Sequence, residues 1–421
     1  MVVQKISRVT QQSPAKPMKK ALFVTYGGGH AKMVLPVVQQ FLRDGRLQVQ
    51  VLALTTARAL FARHGVATLG FHDFVTAADA QALAWGHELC ASTARHPEIE
   101  PQESVAYLGL SFADLVADVG LELARSRYAA IGRAAFCPVH RLSNIIAQLR
   151  PDVVVATNTR RSEMAAILAA RQLGIAAVCL VDWFPVGDAQ VLGTPGYADR
   201  VCVPNQASLV RLVEEGRPAR DITVTGNPAF DSLAAPGLQN KAQKWLSNQP
   251  WRTRKKILWA SQPEPIAHRI TGAPGNPALP EQIFDWLRNM VARHPDWHLI
   301  ARPHPSENAS FMQAGPQCSV SLQTEPLHLL LASIDVVVCM TSTVGYEAAL
   351  LGKPLVHIPL SVHGDEADYT QMGLALKAAE PGQIEQALVA ILEHHWLPPH
   401  KLPPPGGATS AACQVIVEVA C

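Results

Sequence analysis

The chain has 421 residues, is 48% hydrophobic and carries a formal net charge of +2 at pH 7. This length exceeds that of one ordinary α/β domain, so we expect two domains. The balanced charge excludes the dense basic surface of a nucleic-acid-binding protein, and we expect no nucleic-acid partner. The eight cysteines stand singly and form no CxxC pair, which is typical of reduced thiols in a cytoplasmic protein.

Residues 1–18 are predicted to form a flexible N-terminal arm, because they lack the apolar core of a signal sequence and contain Ser-Pro-Ala-Lys-Pro. No apolar run in the chain approaches the roughly 18 residues of a membrane span, so we expect a cytoplasmic protein. The basic clusters at residues 19–20 and 252–256 are most simply solvated surface. They would also suit peripheral contact with the anionic inner face of a membrane.

The first part of the chain, residues 19–231, alternates apolar runs with amphipathic segments. The predicted strands are residues 21–26, 47–54, 151–158, 175–182, 199–205 and 221–228. The predicted helices are residues 32–44, 163–173 and 207–215, and a helix-rich insertion occupies residues 75–148. Strands that are apolar along their whole length and alternate with helices predict a doubly wound parallel sheet.

A polar connection at residues 232–254 precedes a second α/β rhythm, which we assign to a smaller domain at residues 232–385. Its predicted strands are residues 255–261, 297–305, 334–345 and 353–360, with a helix at 281–293. We therefore predict two Rossmann-like parallel-sheet domains that face each other across a cleft. The tail, residues 386–421, begins within a predicted helix at 383–394 and is expected to pack back across the junction.

Ligands of parallel α/β sheets collect beyond the carboxyl ends of the strands. In the first domain that position holds Gly27, Gly28, Gly29 and His30. Three glycines cost roughly 1 kcal/mol each relative to alanine, so they indicate close approach of a ligand, such as a phosphate, to the backbone. His30 suits a general base, although capping the helix or binding a phosphate explains it equally well. Asp182 ends a buried strand and is the alternative base, although an ordinary turn acid explains it slightly more easily.

The second domain offers a strand-turn-helix at residues 341–353. Ser342, Thr343 and the amides near Gly345 would form an anion site at the start of a helix, or Ser342 or Thr343 would simply cap it. Glu347 lies one turn further on, within reach of ligand hydroxyls. Four further candidates follow neighbouring strands: Arg302, His304, Ser261 and Gln262. An arginine and a histidine together suit a phosphate.

These motifs resemble those of the GT-B superfamily of nucleotide-sugar glycosyltransferases, to which the UDP-N-acetylglucosamine 2-epimerases also belong. The segment "ITVTGNPAFD" at 222–231 is similar to the one that closes the N-terminal domain in that superfamily. The segment "YGGGHAKM" at 26–33 resembles the glycine-rich loop of peptidoglycan lipid-intermediate GlcNAc transferases and galactolipid synthases. The segment "STVGYEAALLGKP" at 342–354 is similar to the donor-site turn in which the glutamate binds the nucleotide ribose.

The resemblance implies an enzyme of surface-carbohydrate biosynthesis that transfers a sugar from a UDP- or CMP-sugar to a glycan or lipid-linked acceptor. Glu347 would hold the ribose, Ser342 and Thr343 the donor phosphates, and Arg302 and His304 would lie beside the nucleotide. Transfer would be inverting, with His30 or Asp182 as the base. We expect no cofactor and no metal, because the sequence contains no convincing DxD motif. Asp365 or Glu366 would reach the donor sugar, although solvated loop acids explain them more simply.

The alternative within the resemblance is a UDP-N-acetylglucosamine 2-epimerase, which eliminates and re-adds UDP with acids in the first domain. Such enzymes place one acid after the strand that ends here at Thr157-Asn158-Thr159, and that acid is missing. They place another where Asp182 stands, but the following Trp183-Phe184-Pro185 departs from their pattern. We therefore predict a glycosyltransferase first and an epimerase second. A nucleotide-sugar-binding protein without turnover is the third reading.

Overall fold

The computed structural model describes residues 18–92, 96–158, 160–182, 188–268, 271–364 and 367–421. Within these ranges the chain forms two parallel β-sheets with helices on their faces, as the apolar runs predict. We call the part of the chain built on the first sheet the first lobe, and the part built on the second sheet the second lobe.

The first sheet has six parallel strands in the order β2-β1-β3-β4-β5-β6. The strands are β1 (Lys20–Thr25), β2 (Gln48–Ala53), β3 (Val153–Thr157), β4 (Ala176–Leu180), β5 (Arg200–Val203) and β6 (Ile222–Val224). Phe23 on β1 is in register with Val51 on one side and Val155 on the other. The connection reverses direction between β1 and β3, so the crevice at their carboxyl ends is the switch point at which such sheets bind ligands.

The helices of the first lobe are α1 (Gly28–Asp44), α2 (Thr56–Arg63), α3 (Ala80–Ala91), α4 (Pro101–Val119), α5 (Leu121–Ile131), α6 (Val139–Leu149), α7 (Ser162–Gln172), α8 (Ala189–Gly193) and α9 (Gln206–Glu214). Two apolar clusters cover the two faces of the sheet. Helix α1 begins four residues earlier than the sequence predicts, so it includes Gly28, Gly29 and His30. This shift places His30 in the first turn of a helix.

The second sheet also has six parallel strands, in the order β12-β11-β10-β7-β8-β9. The strands are β7 (Lys255–Ala260), β8 (Trp297–Arg302), β9 (Cys318–Val320), β10 (Val336–Cys339), β11 (Leu355–His357) and β12 (Ala375–Lys377). The remaining helices are α10 (Leu238–Ser247), α11 (Leu279–Val291), α12 (Leu327–Ser333), α13 (Thr343–Leu350), α14 (Pro381–Leu392) and α15 (Ala408–Ala420). The region 232–254, which reads as a polar connection, therefore contains helix α10.

The C-terminal helix α15 lies on the first lobe, although it follows the second lobe in the chain. Cys413 and Ile416 on α15 are fully buried in the apolar cluster that covers one face of the first sheet. Asp231 caps the helix from the first lobe, because its carboxylate accepts hydrogen bonds from Ala408 N (3.1 Å) and Thr409 N (2.7 Å). No helix of the described ranges is both long and apolar enough to cross a bilayer.

Candidate active site

The carboxyl edge of the first sheet brings His30 and Asp182 together. His30 lies in the first turn of α1, which follows β1, and Asp182 lies two residues after β4. The Nδ1 atom of His30 is 3.5 Å from Oδ2 of Asp182, and about a fifth and a quarter of the two side chains are exposed. Nδ1 itself is buried and has no hydrogen-bond partner among the described residues. The imidazole thus lies beside a carboxylate, an arrangement that suits proton transfer by the exposed part of the ring.

Two asparagines fix the backbone of Asp182. The side-chain oxygen of Asn158, after β3, accepts a hydrogen bond from Asp182 N at 3.1 Å. The side-chain nitrogen of Asn227, after β6, donates to Asp182 O at 2.7 Å. Both asparagines are buried. The segment that contains Asn227 stands out in the sequence. No signal there identifies Asp182 O as the atom to which Asn227 donates.

Further buried polar groups surround the switch point between β1 and β3. The hydroxyls of Thr25, Thr157 and Ser162 are buried and lack a hydrogen-bond partner within the described part of the chain. Glu163 is fully buried, and its Oε1 accepts a hydrogen bond from Tyr26 N at 2.6 Å. Buried polar groups are normally paired, so a cluster of unpaired hydroxyls at a strand edge is a notable feature of this crevice. Sequence reasoning missed Glu163, which it treats only as the start of a helix.

The three glycines of the loop have different structural roles. A Cβ atom on Gly27 would lie 2.4 Å from Oγ1 of Thr56, so Gly27 allows β1 and α2 to approach each other. Gly28 has a φ of +59°, which most side chains avoid. Gly29 has open space around it and ordinary helical geometry. The expectation that all three glycines admit a ligand is therefore too broad, because internal geometry accounts for Gly27 and Gly28.

In the second lobe, the predicted anion turn forms the start of α13. Ser342 is the N-cap residue, and its hydroxyl accepts a hydrogen bond from Val344 N at 3.4 Å. The amide of Gly345 donates to Ser342 O at 3.0 Å, so it already has a partner. A Cβ atom on Gly345 would lie 2.7 Å from Cys339 Sγ and 3.2 Å from the Tyr369 ring. The structure thus explains Gly345 by close packing rather than by donor binding, and Thr343 is the exposed residue of this turn.

Glu347 is buried one turn into α13 and has a histidine partner that sequence reasoning missed. Its Oε2 lies 3.2 Å from Nε2 of His328 on α12. The other ring nitrogen of His328 is 3.4 Å from the hydroxyl of Ser232, in the segment that joins the lobes. His328 stands in the apolar sequence "PLHLLL", where nothing marks it as a partner of Glu347.

Arg302 does not take the predicted position beside a phosphate. It ends β8, is buried, and donates from Nη1 to Ser321 Oγ (2.8 Å) and Leu322 O (3.2 Å). Its Nη2 donates to Glu325 O at 3.2 Å. Burial lowers the pKa of this guanidinium from its usual value. The prediction that Arg302 offers its donors to a ligand is corrected: these donors hold the loop that follows β9.

The three other strand-end residues of the second lobe also have partners within the protein. The hydroxyl of Ser261 donates to Glu307 Oε1 at 2.8 Å, and His304 N donates to Oε2 of the same glutamate at 3.0 Å. Nδ1 of the exposed His304 ring lies 2.8 Å from Ser306 Oγ. Gln262 pairs with Thr341, donating to its Oγ1 at 2.8 Å and accepting from its amide at 3.0 Å. These contacts connect the ends of β7, β8 and β10.

The two lobes meet where α13 approaches the first sheet. Tyr346 on α13 lies beside the side chain of Asn205, which caps α9 after β5. The ring of Tyr346 lies 6.0 Å from that of Phe230, centroid to centroid. Burial raises the pKa of the Tyr346 phenol, and the neighbouring Asn205 side chain opposes that rise. The helix that carries Glu347 therefore lies against the carboxyl edge of the first sheet.

Two predicted donor-sugar contacts, Asp365 and Glu366, lie outside the described residues. Among the residues that the structure describes, no group of three or more histidine, cysteine, aspartate or glutamate side chains could hold a metal ion.

The two facing parallel-sheet lobes define a protein of the GT-B fold, and solved structures of that fold cover nearly the whole chain. A protein of Listeria monocytogenes described as a UDP-N-acetylglucosamine 2-epimerase gives a TM-score of 0.59 at 16% identity, covering 94% of each chain. The UDP-GlcNAc 2-epimerase of Neisseria meningitidis, bound to UDP-GlcNAc, gives 0.58 at 14% identity and covers 95% of this chain and 99% of its own. MurG of Acinetobacter baumannii gives 0.55 at 15% identity, covering 96% and 100%.

The family follows from the sequence itself. The model of the family UDP-N-acetylglucosamine 2-epimerase matches residues 194–416, just over half of the chain. The chain belongs to this family. A comparison with curated protein sequences gives no significant match.

Proposed function

We propose that this protein is an enzyme that acts on a UDP-linked N-acetylhexosamine by 2-epimerase chemistry, breaking and remaking the bond between the sugar and UDP. Family membership supports the epimerase ahead of the glycosyltransferase. The sequence motifs alone favour the opposite order. The observation that carries the chemistry is the contact between His30 and Asp182 at the edge of the first sheet that α13 approaches.

The second lobe would bind the nucleotide. Glu347, oriented by His328, would accept hydrogen bonds from the ribose hydroxyls. The start of α13, with Thr343 exposed and Ser342 as its cap, would face the diphosphate, because the amino end of a helix favours negative charge. The network that joins Ser261, Gln262 and His304 would keep this surface in place.

The first lobe would move the proton. In an elimination, a base takes the proton from C2 of the sugar while the C1–O bond breaks, so that UDP leaves with the electron pair and a C1=C2 double bond forms. Return of a proton to the other face of C2 and re-addition of UDP at C1 give the epimer. We assign the base to His30, with Asp182 holding its ring and balancing the positive charge that the ring gains.

One observation favours glycosyl transfer as a second candidate. Asn158 stands after β3 where the resemblance calls for an acid, and its side chain is used to hold the backbone of Asp182. In a transferase, His30 would instead deprotonate the hydroxyl of a glycan or lipid-linked acceptor, which would then displace UDP from C1. Contact with a membrane would follow only from this second candidate.

The test is incubation of the purified protein with UDP-GlcNAc alone, followed by nuclear magnetic resonance. Formation of UDP-ManNAc, or of ManNAc and UDP, supports the epimerase. Release of UDP only when a glycan or lipid-linked acceptor is added supports the transferase. Thermal unfolding with UDP, CMP and GDP identifies the nucleotide, because a ligand of the native state raises the unfolding temperature; absence of any shift contradicts both.

A further inference from the structure

A cavity of about 520 Å³ lies in the first lobe, beside the carboxyl ends of β1 and β2. Its volume falls within the usual range of small-molecule sites. Its walls come from the ends of these strands, the start of α2, the helix α4 and the segments before it, and the residue before α7. The lining residues include Tyr26, Ile99, Glu103, Tyr107, Arg133 and Arg161.

Most of this wall is apolar. Tyr26 and Tyr107 pack with tilted rings whose centroids are 5.4 Å apart, and Ile99 and Leu108 add aliphatic surface. Such a surface suits a hydrocarbon or aromatic body, because removing apolar area from water provides the binding free energy. It does not suit the polar sugar of the proposed substrate.

Two arginines add positive charge to this apolar wall. The guanidinium of Arg161 lies over the ring of Tyr26, 4.9 Å from its centroid, and Arg133 is exposed. Among the described residues, no carboxylate lies within ion-pair distance of either one. The neighbouring Arg58 and Arg63, by contrast, pair with acids of the same region.

The carboxylate of Glu103, which lines the cavity, already has hydrogen-bond partners within the protein. Glu103 is buried and accepts hydrogen bonds from Phe71 N and His72 N, each at 3.0 Å. Its Oε2 also lies 2.6 Å from Nδ1 of the His72 ring. Glu103 therefore holds the segment 71–74 and leaves the positive charge of the two arginines uncompensated.

The backbone beside the cavity is strained. Thr55 has a φ of +50° and a ψ of −125°, which a β-branched residue rarely adopts. Its hydroxyl donates to Tyr26 O, so the strained residue holds the backbone of the tyrosine on which Arg161 stacks. Strain of this kind clusters at binding sites.

From these observations we propose that the cavity binds a small amphiphile, with an apolar chain or ring inside and an anionic group held by Arg161 and Arg133. The ligand is a single dissolved molecule rather than a bilayer surface, because the apolar wall is recessed. The lining residues do not include His30, Asp182 or Glu347, so the proposal does not depend on the proposed function.

The test is isothermal titration of the full chain with decyl phosphate below its micelle concentration. We expect saturable one-to-one binding that is at least tenfold tighter than for decanol or inorganic phosphate. Arg161→Gln and Arg133→Gln should each weaken it about tenfold, since each removes one charge-assisted contact. Ile99→Trp, in a surface segment, should fill the cavity and abolish binding. Arg127→Gln is the matched control, because Arg127 is exposed on α5 outside the cavity.

Equal binding of decanol, equal binding by the Arg161 and Ile99 variants, or no binding of decyl phosphate would each overturn the proposal. So would retention on phosphatidylglycerol vesicles without binding of monomeric decyl phosphate. The Ile99 variant should bind UDP as tightly as the unchanged protein does. This measurement distinguishes a failure of the present proposal from a failure of the proposed function.

Discussion

The candidate site residues at the carboxyl edges of the two sheets differ in how far their polar groups are already paired. In the second lobe, Arg302, Ser261 and Gln262 all bond to neighbouring groups of the protein. In the first lobe, Nδ1 of His30 and the hydroxyl of Thr157 are buried without a hydrogen-bond partner in the part of the chain described.

This difference fits a division of labour. A surface that must hold a nucleotide in one orientation gains from a network fixed before binding, because less order has to be imposed when the ligand arrives. A surface that must move protons needs groups that are not committed elsewhere, even though leaving a buried polar group unpaired costs about 1–3 kcal/mol. The predictions below test whether the two lobes divide binding and turnover in this way.

Asp182→Asn should produce the largest effect. Without the carboxylate, the imidazolium of His30 loses its compensating charge, and turnover should fall on the order of 10²–10⁴-fold while the affinity for UDP is unchanged. Steady-state kinetics and calorimetry measure the two quantities. The control is Asp118→Asn, which removes a carboxylate that is about half exposed. A parallel loss of UDP affinity in the Asp182 variant would mean that the first lobe binds the nucleotide.

Glu347→Gln should act on binding rather than turnover. Loss of the charged acceptor for the ribose should weaken UDP binding about tenfold or more, because hydrogen bonds to a charged group contribute roughly 1.5–3 kcal/mol. The same variant should bind UDP and 2′-deoxy-UDP almost equally, whereas the unchanged protein should prefer UDP. His328→Gln should lose part of the same preference. Retained discrimination in the Glu347 variant would place the ribose elsewhere.

Substitutions at Gly345 and Gly29 distinguish a glycine that is needed for packing from one that leaves room for a ligand. Gly345→Ala should lower the free energy of unfolding by about 1–3 kcal/mol, since the added methyl would press on Cys339 and Tyr369. Gly29→Ala should leave stability equal or slightly higher, because nothing lies near the added methyl and alanine favours a helix. Denaturant titration measures both changes. Reduced turnover in the Gly29 variant, with stability preserved, would show that this glycine leaves room for substrate.

We expect the smallest effect at His298, which contributes to the pH dependence of stability. Burial next to Arg254 lowers the pKa of this imidazole from 6.5 to about 4, so the folded protein resists its protonation. Stability is complete well above pH 6.5 and should fall as the pH drops towards 4, by on the order of 3 kcal/mol for this group. His298→Gln should remove this contribution to the pH dependence of stability, whereas substitution of the exposed His140 by Gln should not. The free energy of unfolding is measured by denaturant titration between pH 7 and pH 4. An unchanged pH dependence in the His298 variant would contradict this account.

The sequence predicts the fold well because long, wholly apolar strands leave few alternatives. The run Val153–Thr157 is fully buried, as a parallel sheet covered on both faces requires. Helix α15 is not predicted, although Ser410, Gln414 and Glu418 recur every fourth residue and form its exposed stripe. Its burial against the first sheet depends on a contact between distant parts of the chain.

The site was only partly accessible from sequence. The strand-end rule selects both His30 and Asp182, and the structure brings them together. The same rule selects Arg302, but the sequence does not show that residues 321–325 fold over its guanidinium. The partner of Glu347 was missed for a similar reason, because His328 comes from a different helix and meets it only in the folded protein.

The most direct measurement is proton exchange at C2 of UDP-GlcNAc in heavy water, followed by nuclear magnetic resonance. The account predicts that the protein incorporates deuterium at C2, even where little epimer accumulates, and that Asp182→Asn slows this exchange on the order of 10²-fold or more while UDP still binds. Bound UDP-GlcNAc that keeps its C2 proton throughout would contradict the proposed chemistry.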